Sequence, residues 1–269
     1  MKFENLEDKC RYYQKIADYT LLPNSYVLVH CDGRSFSRLI KNEYEKPFDE
    51  TFINMMNETA KYLCAEVQGC KCAFVQSDEI SLVLTDINKD GNNGTVFFNG
   101  RMCKMISSIA ALATSKFNQL RFIDEIKKNS MNPAYTISST KLAQFDCKVW
   151  NVPNLNDAVA WFLYRQLDCI KNSKQQFAQT YCSHKELLNL NTDEQVALAF
   201  EKHSMDWNAI SDDKKYGRFI FKEIHEEMGL NPKTGEAVQF QRSSYDVSFG
   251  LRLSEAEDRE KLINKITSE

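Results

Sequence analysis

Proline and glycine are scarce, five and nine among 269 residues, and a chain with so few breakers leaves room for few long loops. Internal repeats and low-complexity tracts are absent, as is any apolar run long enough to span a bilayer. Charge of one sign does not dominate either, since the formal net charge is −3. That excludes a generally basic, indiscriminate nucleic-acid binder; contact with nucleic acid would need basic residues gathered in one place. No signal peptide opens the sequence. The nine cysteines are odd in number and irregular in spacing, which excludes a disulfide framework of the secreted kind. Cys70-x-Cys72 and Cys182-x-His184 lack zinc-ligand spacing. The expectation is a cytoplasmic protein with reduced, mostly buried thiols.

What is present is an ordinary globular composition, 43% hydrophobic and 26% charged, enough for a real core. Helical spacing of Phe3, Leu6, Cys10, Tyr13 and Ala17 predicts a helix over 3–18. A nearly all-apolar strand, Tyr26 to Cys31, ends in the turn Asp32-Gly33. A helix from about Asp49 to Val67 turns Phe52, Met55, Met56, Thr59, Ala60 and Leu63 inward and ends at Gly69. Strands over Cys72–Gln76 and Ile80–Thr85 flank Ser77-Asp78-Glu79, a hairpin-length link. A surface loop over 90–94 leads to a helix from Phe97 to Phe117, in which Phe98, Met102, Met105 and Ile109 line one side and Arg101, Lys104 and Ser108 share another. Residues 130–142 are ambiguous, and Phe145–Val152 reads as a strand.

Strand, helix, strand, strand, helix, strand is the ferredoxin-type βαββαβ order, whose antiparallel sheet is also the core of a polymerase palm. The fold class expected is α+β, with a palm-like domain over 1–150. Residues 151–215 read as helical: a helix capped at Asn156 or Asp157 runs to Tyr181, and capping boxes stand at Ser183-x-x-Glu186 and Thr192-x-x-Gln195. Over 216–269, strands Phe219–Ile224 and Ala237–Phe240 return to the palm. A charged helix capped by Ser254-x-x-Glu257 then ends the chain as a solvated or partner-facing segment.

Two carboxylates at the ends of neighbouring strands suit divalent metal and phosphate chemistry. Aspartate is a hard oxygen ligand, and magnesium takes one or two protein carboxylates before waters and phosphates. Asp32, Asp78 and the Gly33 carbonyl are therefore candidate metal ligands, and Asp32, Asp78 and Glu79 the candidate catalytic carboxylates. Two ions about 3.5–4 Å apart would clamp both oxygens of a phosphoryl transfer. Amides of the turn Gly33, Arg34, Ser35, Phe36 and Ser37 are placed to cradle a triphosphate. Lys46, Arg101 and Lys104 are candidate phosphate contacts, each equally readable as a solvated charge. Asp-Gly alone is a common turn; the weight lies in the pair. A lone histidine on an apolar strand, His30, reads as a satisfied core residue, and Trp161 as core.

Several motifs stand in order: Asp32-Gly33-Arg34-x-Phe36, Lys46-Pro47-Phe48-Asp49, Gln76-Ser77-Asp78-Glu79-Ile80-Ser81, Arg101-x-x-Lys104, Phe145-Asp146, Asp157-Ala158-x-x-Trp161 and Arg165-Gln166-x-Asp168-Cys169-x-x-Asn172. Together they resemble the tRNA(His) guanylyltransferase superfamily of 3′–5′ nucleotide polymerases, over about residues 5 to 220. The resemblance implies a palm-like catalytic domain, a helical fingers-like region over 151–215, and a homotetramer. It implies two magnesium ions at Asp32, the Gly33 carbonyl and Asp78. It implies nucleotide contacts from Asp32 to Ser37, from Ser77, and from Lys46, Arg101 and Lys104. The implied reaction activates a tRNA 5′-monophosphate with ATP, after which the 3′-hydroxyl of an incoming nucleotide, typically GTP, displaces AMP. Where eukaryotic members carry His-Ile-Asn-Asn, this chain has Ile170-Lys171-Asn172-Ser173. Their usual arginine two residues before the metal aspartate is His30 here, and a glycine after Phe-Asp is Cys147. Asn172-Ser173 and Ser183-His184-Lys185-Glu186-Leu187 are more similar to bacterial-type members, which repair tRNA 5′ ends by base-pair templating.

Two other functions fit parts of the sequence. A palm-domain nucleotide cyclase or small nucleotide signal synthase would use the same acidic turns, but the helical second half resembles the tRNA enzymes. A non-catalytic RNA-binding protein would have little reason to keep paired aspartates. For tRNA, the candidate basic patch is Lys171, Lys174, Lys185, Lys214, Lys215 and Arg218.

Overall fold

The structure is a computed structural model that describes residues 3–15, 19–39, 43–87, 94–129, 141–231 and 233–267. In chain order the elements are α1 (Leu6–Lys15), β1 (Tyr26–Gly33), α2 (Phe36–Leu39), α3 (Glu50–Glu66), β2 (Cys70–Gln76), β3 (Glu79–Thr85), α4 (Met102–Asn129) and β4 (Phe145–Val152). Then follow α5 (Leu155–Tyr181), α6 (His184–Leu187), α7 (Thr192–His203), α8 (Asp212–Tyr216), β5 (Arg218–Leu230), β6 (Ala237–Ser248) and α9 (Ala256–Thr267). The strands form one sheet in the order β4-β1-β3-β2-β5-β6, with every pairing antiparallel. The first four strands in that order are the βαββαβ unit expected from the sequence.

The two inner strands are apolar throughout because both faces of the sheet are covered. On one face Val27, Val29, Cys31, Ile80, Leu82 and Leu84 pack against Met56, Ala60 and Leu63 of α3 and Met105, Ile109, Ala113 and Phe117 of α4. On the other, Leu28, Phe74, Val83 and Phe219 meet Val159 and Phe162 of α5 and Leu262 and Ile266 of α9. Burial of each such side chain contributes about 1.5–3 kcal/mol. A third cluster, Phe177, Ala178, Leu187, Ala199 and Trp207, joins α5 to α6 and α7. Among the described residues no helix is long and apolar enough to cross a membrane.

Several local expectations shift. Asp49, where the helix is expected to begin, is the cap of α3, its carboxylate accepting from the Phe52 amide at 2.9 Å. The cap of α5 is Asn154, accepting from the Asp157 amide at 3.0 Å, not Asn156 or Asp157. For α7 the capping box is Asn191 with Glu194, one residue earlier than Thr192 with Gln195. The helix expected from Phe97 begins at Met102. Phe98 and Asn99 take positive φ angles of 52° and 53° in a preceding 3-10 turn, so Phe98 points to solvent rather than the core. Helix α9 starts at Ala256, and its Leu262 and Ile266 are core residues, so the last helix is not simply a solvated end. β5 and β6 run much further than expected. Phe219 to Phe221 lie in the sheet, but from Ile224 to Leu230 β5 pairs with β6 and not with β2. The loop read over 90–94, apart from Gly94, and residues 130–140 of the ambiguous stretch lie outside the described residues.

Candidate active site

β1 carries Asp32 to the end of the sheet, where its backbone faces Glu79 of β3 and Asp146 of β4. Residues opposite one another in a ladder share a face, so three carboxylates line one end of the α5-covered face. Ser77 and Asp78 form the two-residue turn between β2 and β3. Ser77 takes a φ of 43°, and its hydroxyl donates to the Asp78 carboxylate at 3.0 Å. The Gly33 amide donates to the Asp78 carbonyl at 3.1 Å. That bond binds the two acidic turns together.

Gly33 is there for space. A Cβ on it would stand 2.5 Å from Cδ2 of Phe36 and 2.8 Å from Oδ2 of Asp78. Phe36 cannot retreat, because it is buried among Phe52, Phe117 and Phe145. The expected outcome for Gly33→Ala is therefore a displaced Asp78 carboxylate and a loss of about 1–3 kcal/mol in stability from overpacking. Denaturant unfolding checks it, and an alanine variant as stable as the parent would contradict the packing described. Ser35 adopts a φ of 58°, and its carbonyl accepts from the amides of Arg38 and Leu39. Arg34, Ser35 and Ser37 face solvent beside the acidic pair.

Burial pushes the Asp78 carboxyl up to about 6 against the pull of the Ser77 hydrogen bond. Burial, then the neighbouring Glu79 charge, raises Asp32. Among the described residues neither aspartate has an ion-pair partner. Two adjacent carboxylates held above their ordinary range, with no side-chain cation between them, form a site that a divalent cation would stabilise. A pair of carboxylates suits magnesium, which completes its shell with carbonyl, water and phosphate oxygens. Asp32, Asp78 and the Gly33 carbonyl fit that donor set.

Glu79 has a different place. Its Oε2 accepts from Arg165 of α5 and from Gln76 Nε2 at 2.7 Å. Arg165 also donates to Asp168 at 2.9 Å, and Asn172 donates to the same Asp168 oxygen at 3.0 Å. Glu79 is thus tied up by α5 and positions the end of β3 rather than standing free as a third catalytic carboxylate. This Arg165 bridge was not legible as such, because its partners are 86 residues apart. His30 is the satisfied core histidine expected: its Nδ1 lies 3.0 Å from Ser81 Oγ and its ring meets Trp161 edge-on at 5.5 Å. Burial, then Arg165, lowers it to about 4, so its 3.9 Å approach to Glu79 is no ion pair at neutral pH.

A cavity opens beside the acidic turns on the β2–β5 side, lined by Lys46, Gln76, Ser77, Asn172, Lys214 and Arg218 among others. Lys46 and Ser77 are brought together there. Arg218 is a wall of this cavity, not part of an exposed patch: it is 4% exposed and donates to Asn57 at 2.7 Å. Its Nη2 and Gln76 Oε1 have no protein partner among the described residues. Lys215 is buried too, donating to the Asn208 carbonyl at 3.0 Å. Lys174 is paired with Asp193, and Lys214 with Glu50. Of the six residues in the expected basic patch, Lys171 and Lys185 remain as exposed lysines without an ion pair among the described residues.

Arg101 and Lys104 are not brought to the acidic turns within one chain. Arg101 bridges Thr20, Leu21 donates to the Gly100 carbonyl at 2.8 Å, and Leu22 donates to Asn151 at 2.9 Å. Asn151 faces Val27 in the ladder. This is the end of the sheet where β1 begins, about 17 Å of strand from Asp32 at ~3.3 Å per residue. Lys104 lies over the Phe98 ring at 5.7 Å at that same end.

The tRNAHis guanylyltransferase (Thg1) family matches residues 7–153, more than half of the 269-residue chain. A tRNA(His) guanylyltransferase of Debaryomyces hansenii is 25% identical over 242 residues, covering 84% of this chain and 86% of its own. A bacterial Thg1-like protein solved in complex with ATP is 26% identical, covers 97% of this chain and 99% of its own, and superposes with a TM-score of 0.79. A bacterial Thg1-like protein in complex with GTP is 27% identical, covers 97% and 98%, and superposes at 0.73. The sheet order, the paired acidic turns and this match lead to one assignment: the chain belongs to the tRNAHis guanylyltransferase family.

Proposed function

We propose that the chain is a magnesium-dependent nucleotidyltransferase that adds nucleotides, typically from GTP, to the 5′ end of tRNA in the 3′–5′ direction after activation by ATP. The observation that carries this reading is the unpaired couple Asp32 and Asp78, locked together by the bond from the Gly33 amide to the Asp78 carbonyl. Relatives bearing the tRNA(His) guanylyltransferase name support the substrate. Solved Thg1-like proteins in complex with ATP and GTP support the nucleotides.

Asp32, Asp78 and the Gly33 carbonyl would hold the two ions, whose chemistry is to neutralise phosphate charge and polarise the reacting oxygens. The protein's own contribution is positioning and electrostatics. Exposed turn residues Arg34, Ser35 and Ser37 flank the phosphates. Lys46 and Ser77 present a cation and a hydroxyl at the cavity mouth. Arg165 holds Glu79, and with it the start of β3, so that Asp78 keeps its aim. The stretch Ile170-Lys171-Asn172-Ser173, of which Asn172 and Ser173 line the cavity, favours a 5′-end repair role over strict tRNA(His) guanylylation.

A homotetramer in the cytoplasm completes the proposal. It is supported by α1, which buries none of its residues and leaves Leu6, Tyr12 and Tyr13 exposed for a neighbouring copy.

Labelled GTP, ATP and magnesium supplied with full-length and 5′-truncated tRNA test the reading. The expected result is label joined to the RNA 5′ end only when RNA and magnesium are both present. A labelled small product formed without RNA would overturn it in favour of a nucleotide cyclase or signal synthase.

A further inference from the structure

The acidic pair has two sides. Toward β2 and β5 lies the cavity just described. Toward β4 the sheet end carries the exposed Asp146 and Lys148, and the outer side of α5 beside that strand has a composition that the reaction scheme leaves unexplained.

Helical geometry sets which residues face that way. On α5, Gln166 marks the β5 flank, donating to the carbonyls of Tyr216 at 3.0 Å and Leu251 at 2.8 Å. Trp161 marks the opposite flank, its ring 4.8 Å from that of Trp150 on β4. Three and ten residues after Trp161 come Tyr164 and Lys171, which the 3.6-residue turn places on one line along the solvent side of the helix, next to Trp161's flank. Tyr164 is 57% exposed, yet its ring is held from behind by Trp161 at 5.6 Å and by the Arg165 guanidinium at 5.2 Å. Arg165 in turn holds Glu79, which faces Asp32. The exposed ring therefore stands one residue from the clamp on the acidic pair.

Lys148 adds a cation on the strand. It lies on β4 opposite His30, two residues beyond Asp146 and on the same face. Lys148 and Lys171 are exposed, and neither has an ion-pair partner among the described residues. The acidic neighbour on the helix, Asp168, is paired with Arg165, which it shares with Glu79. An exposed aromatic face, braced by its neighbours and flanked by free lysines at the brim of a phosphoryl-transfer site, is the arrangement that binds a nucleic-acid strand end. The ring takes a base face and the lysines take phosphates.

We infer that Tyr164 is the stacking platform for the terminal base of the RNA being extended, with Lys148 and Lys171 holding its phosphates. This rests on the reading of the chain as a tRNA 5′-end polymerase. It divides the site between a cavity side for the free nucleotide and a β4 side for the RNA.

The test measures RNA binding and nucleotide binding separately. Fluorescence anisotropy with labelled tRNA, in magnesium but without nucleotide, is run on the parent, Tyr164→Ala, Tyr164→Phe and Lys148→Ala/Lys171→Ala. Tyr164→Ala is expected to weaken RNA binding about tenfold and Tyr164→Phe to restore it, since a phenyl ring stacks as well. The double lysine variant is expected to flatten the dependence of log affinity on log salt by between about one and two. GTP affinity, titrated alone, is expected to stay within twofold. Thermal melting guards against misfolding, which an exposed position makes a small concern. Tyr164→Ala binding RNA within twofold of the parent would overturn the platform, as would failure of phenylalanine to restore binding. Failure of the function reading shows elsewhere, as absence of nucleotide addition by the parent protein.

Discussion

Asp78→Asn is expected to lower nucleotide addition by roughly a thousandfold, the scale of losing a ligand that stabilises transferring phosphate charge, while making the metal-free protein more stable at neutral pH. The second half follows from the sign of the linkage. The folded carboxyl holds its proton up to about 6 because it is buried, whereas an unfolded aspartate releases it near 3.9. Below the unfolded value both states are protonated and the group costs nothing. As pH rises through 6 the folded protein must carry a buried charge, and stability is lost. Two pKa units correspond to about 2–3 kcal/mol, an upper bound for a group that water partly reaches. The neutral amide escapes this cost. Urea unfolding of both proteins at pH 4 and pH 7.5, with chelator present, is the check: the stability advantage of Asp78→Asn is expected at the higher pH and nearly absent at the lower. An equal advantage at both would remove the electrostatic explanation. Near-parental nucleotide addition by Asp78→Asn would remove Asp78 from the metal site.

The other large effect concerns the arginine of α5. Arg165→Ala leaves the Glu79 carboxylate without its cation in a region where Arg165 and Glu79 side chains are 9% and 18% exposed. Removing one partner of such a pair costs about 3–5 kcal/mol, most of it from the charge left behind. The expected loss is at the lower edge, about 3 kcal/mol, because Gln76 still donates to Glu79. Adding Glu79→Gln to Arg165→Ala is expected to recover part of it, since no orphaned charge then remains. A double-mutant cycle in denaturant resolves the coupling, and a single-variant loss below about 1 kcal/mol would mean that the clamp is not holding β3.

Much of this site was legible in the sequence. Val27 to Cys31 and Ile80 to Leu84 declared themselves as inner strands by being apolar without alternation, and that alone put Asp32 and Asp78 at neighbouring strand ends. Other features depend on information that local pattern does not carry. Arg101 and Lys104 read as facing the phosphates from one helix. The positive φ angles at Phe98 and Asn99 start the helix only at Met102, and β3 runs from Asp32's end to Tyr26's before α4 begins, which puts both cations at the sheet's other end. Lys215 and Arg218 read as surface charges, as basic residues near Asp212 and Asp213 usually are; their burial depends on Asn208 and Asn57, the latter 161 residues away. At α7 the two candidate capping boxes are offset by one residue; Glu194 accepts from the Asn191 amide, while Gln195 turns away and donates to the Leu190 carbonyl. Residues 225–230 of β5 and 241–244 of β6 carry no strand signal because they lie in a ribbon open to water, so no alternation of apolar and polar residues marks them.

That last pair of strands has a consequence for motion. Where β5 leaves β2, its ladder rests on β6 alone, and Met228 and Leu230 are 69% and 73% exposed. A two-stranded ribbon of this kind is marginal by itself, so its hydrogen bonds break and re-form as a unit of their own at a small fraction of the cost of opening the whole sheet. The strands that hold Asp32 and Asp78 do not take part, and the chemistry is insulated from the opening and closing of the arm.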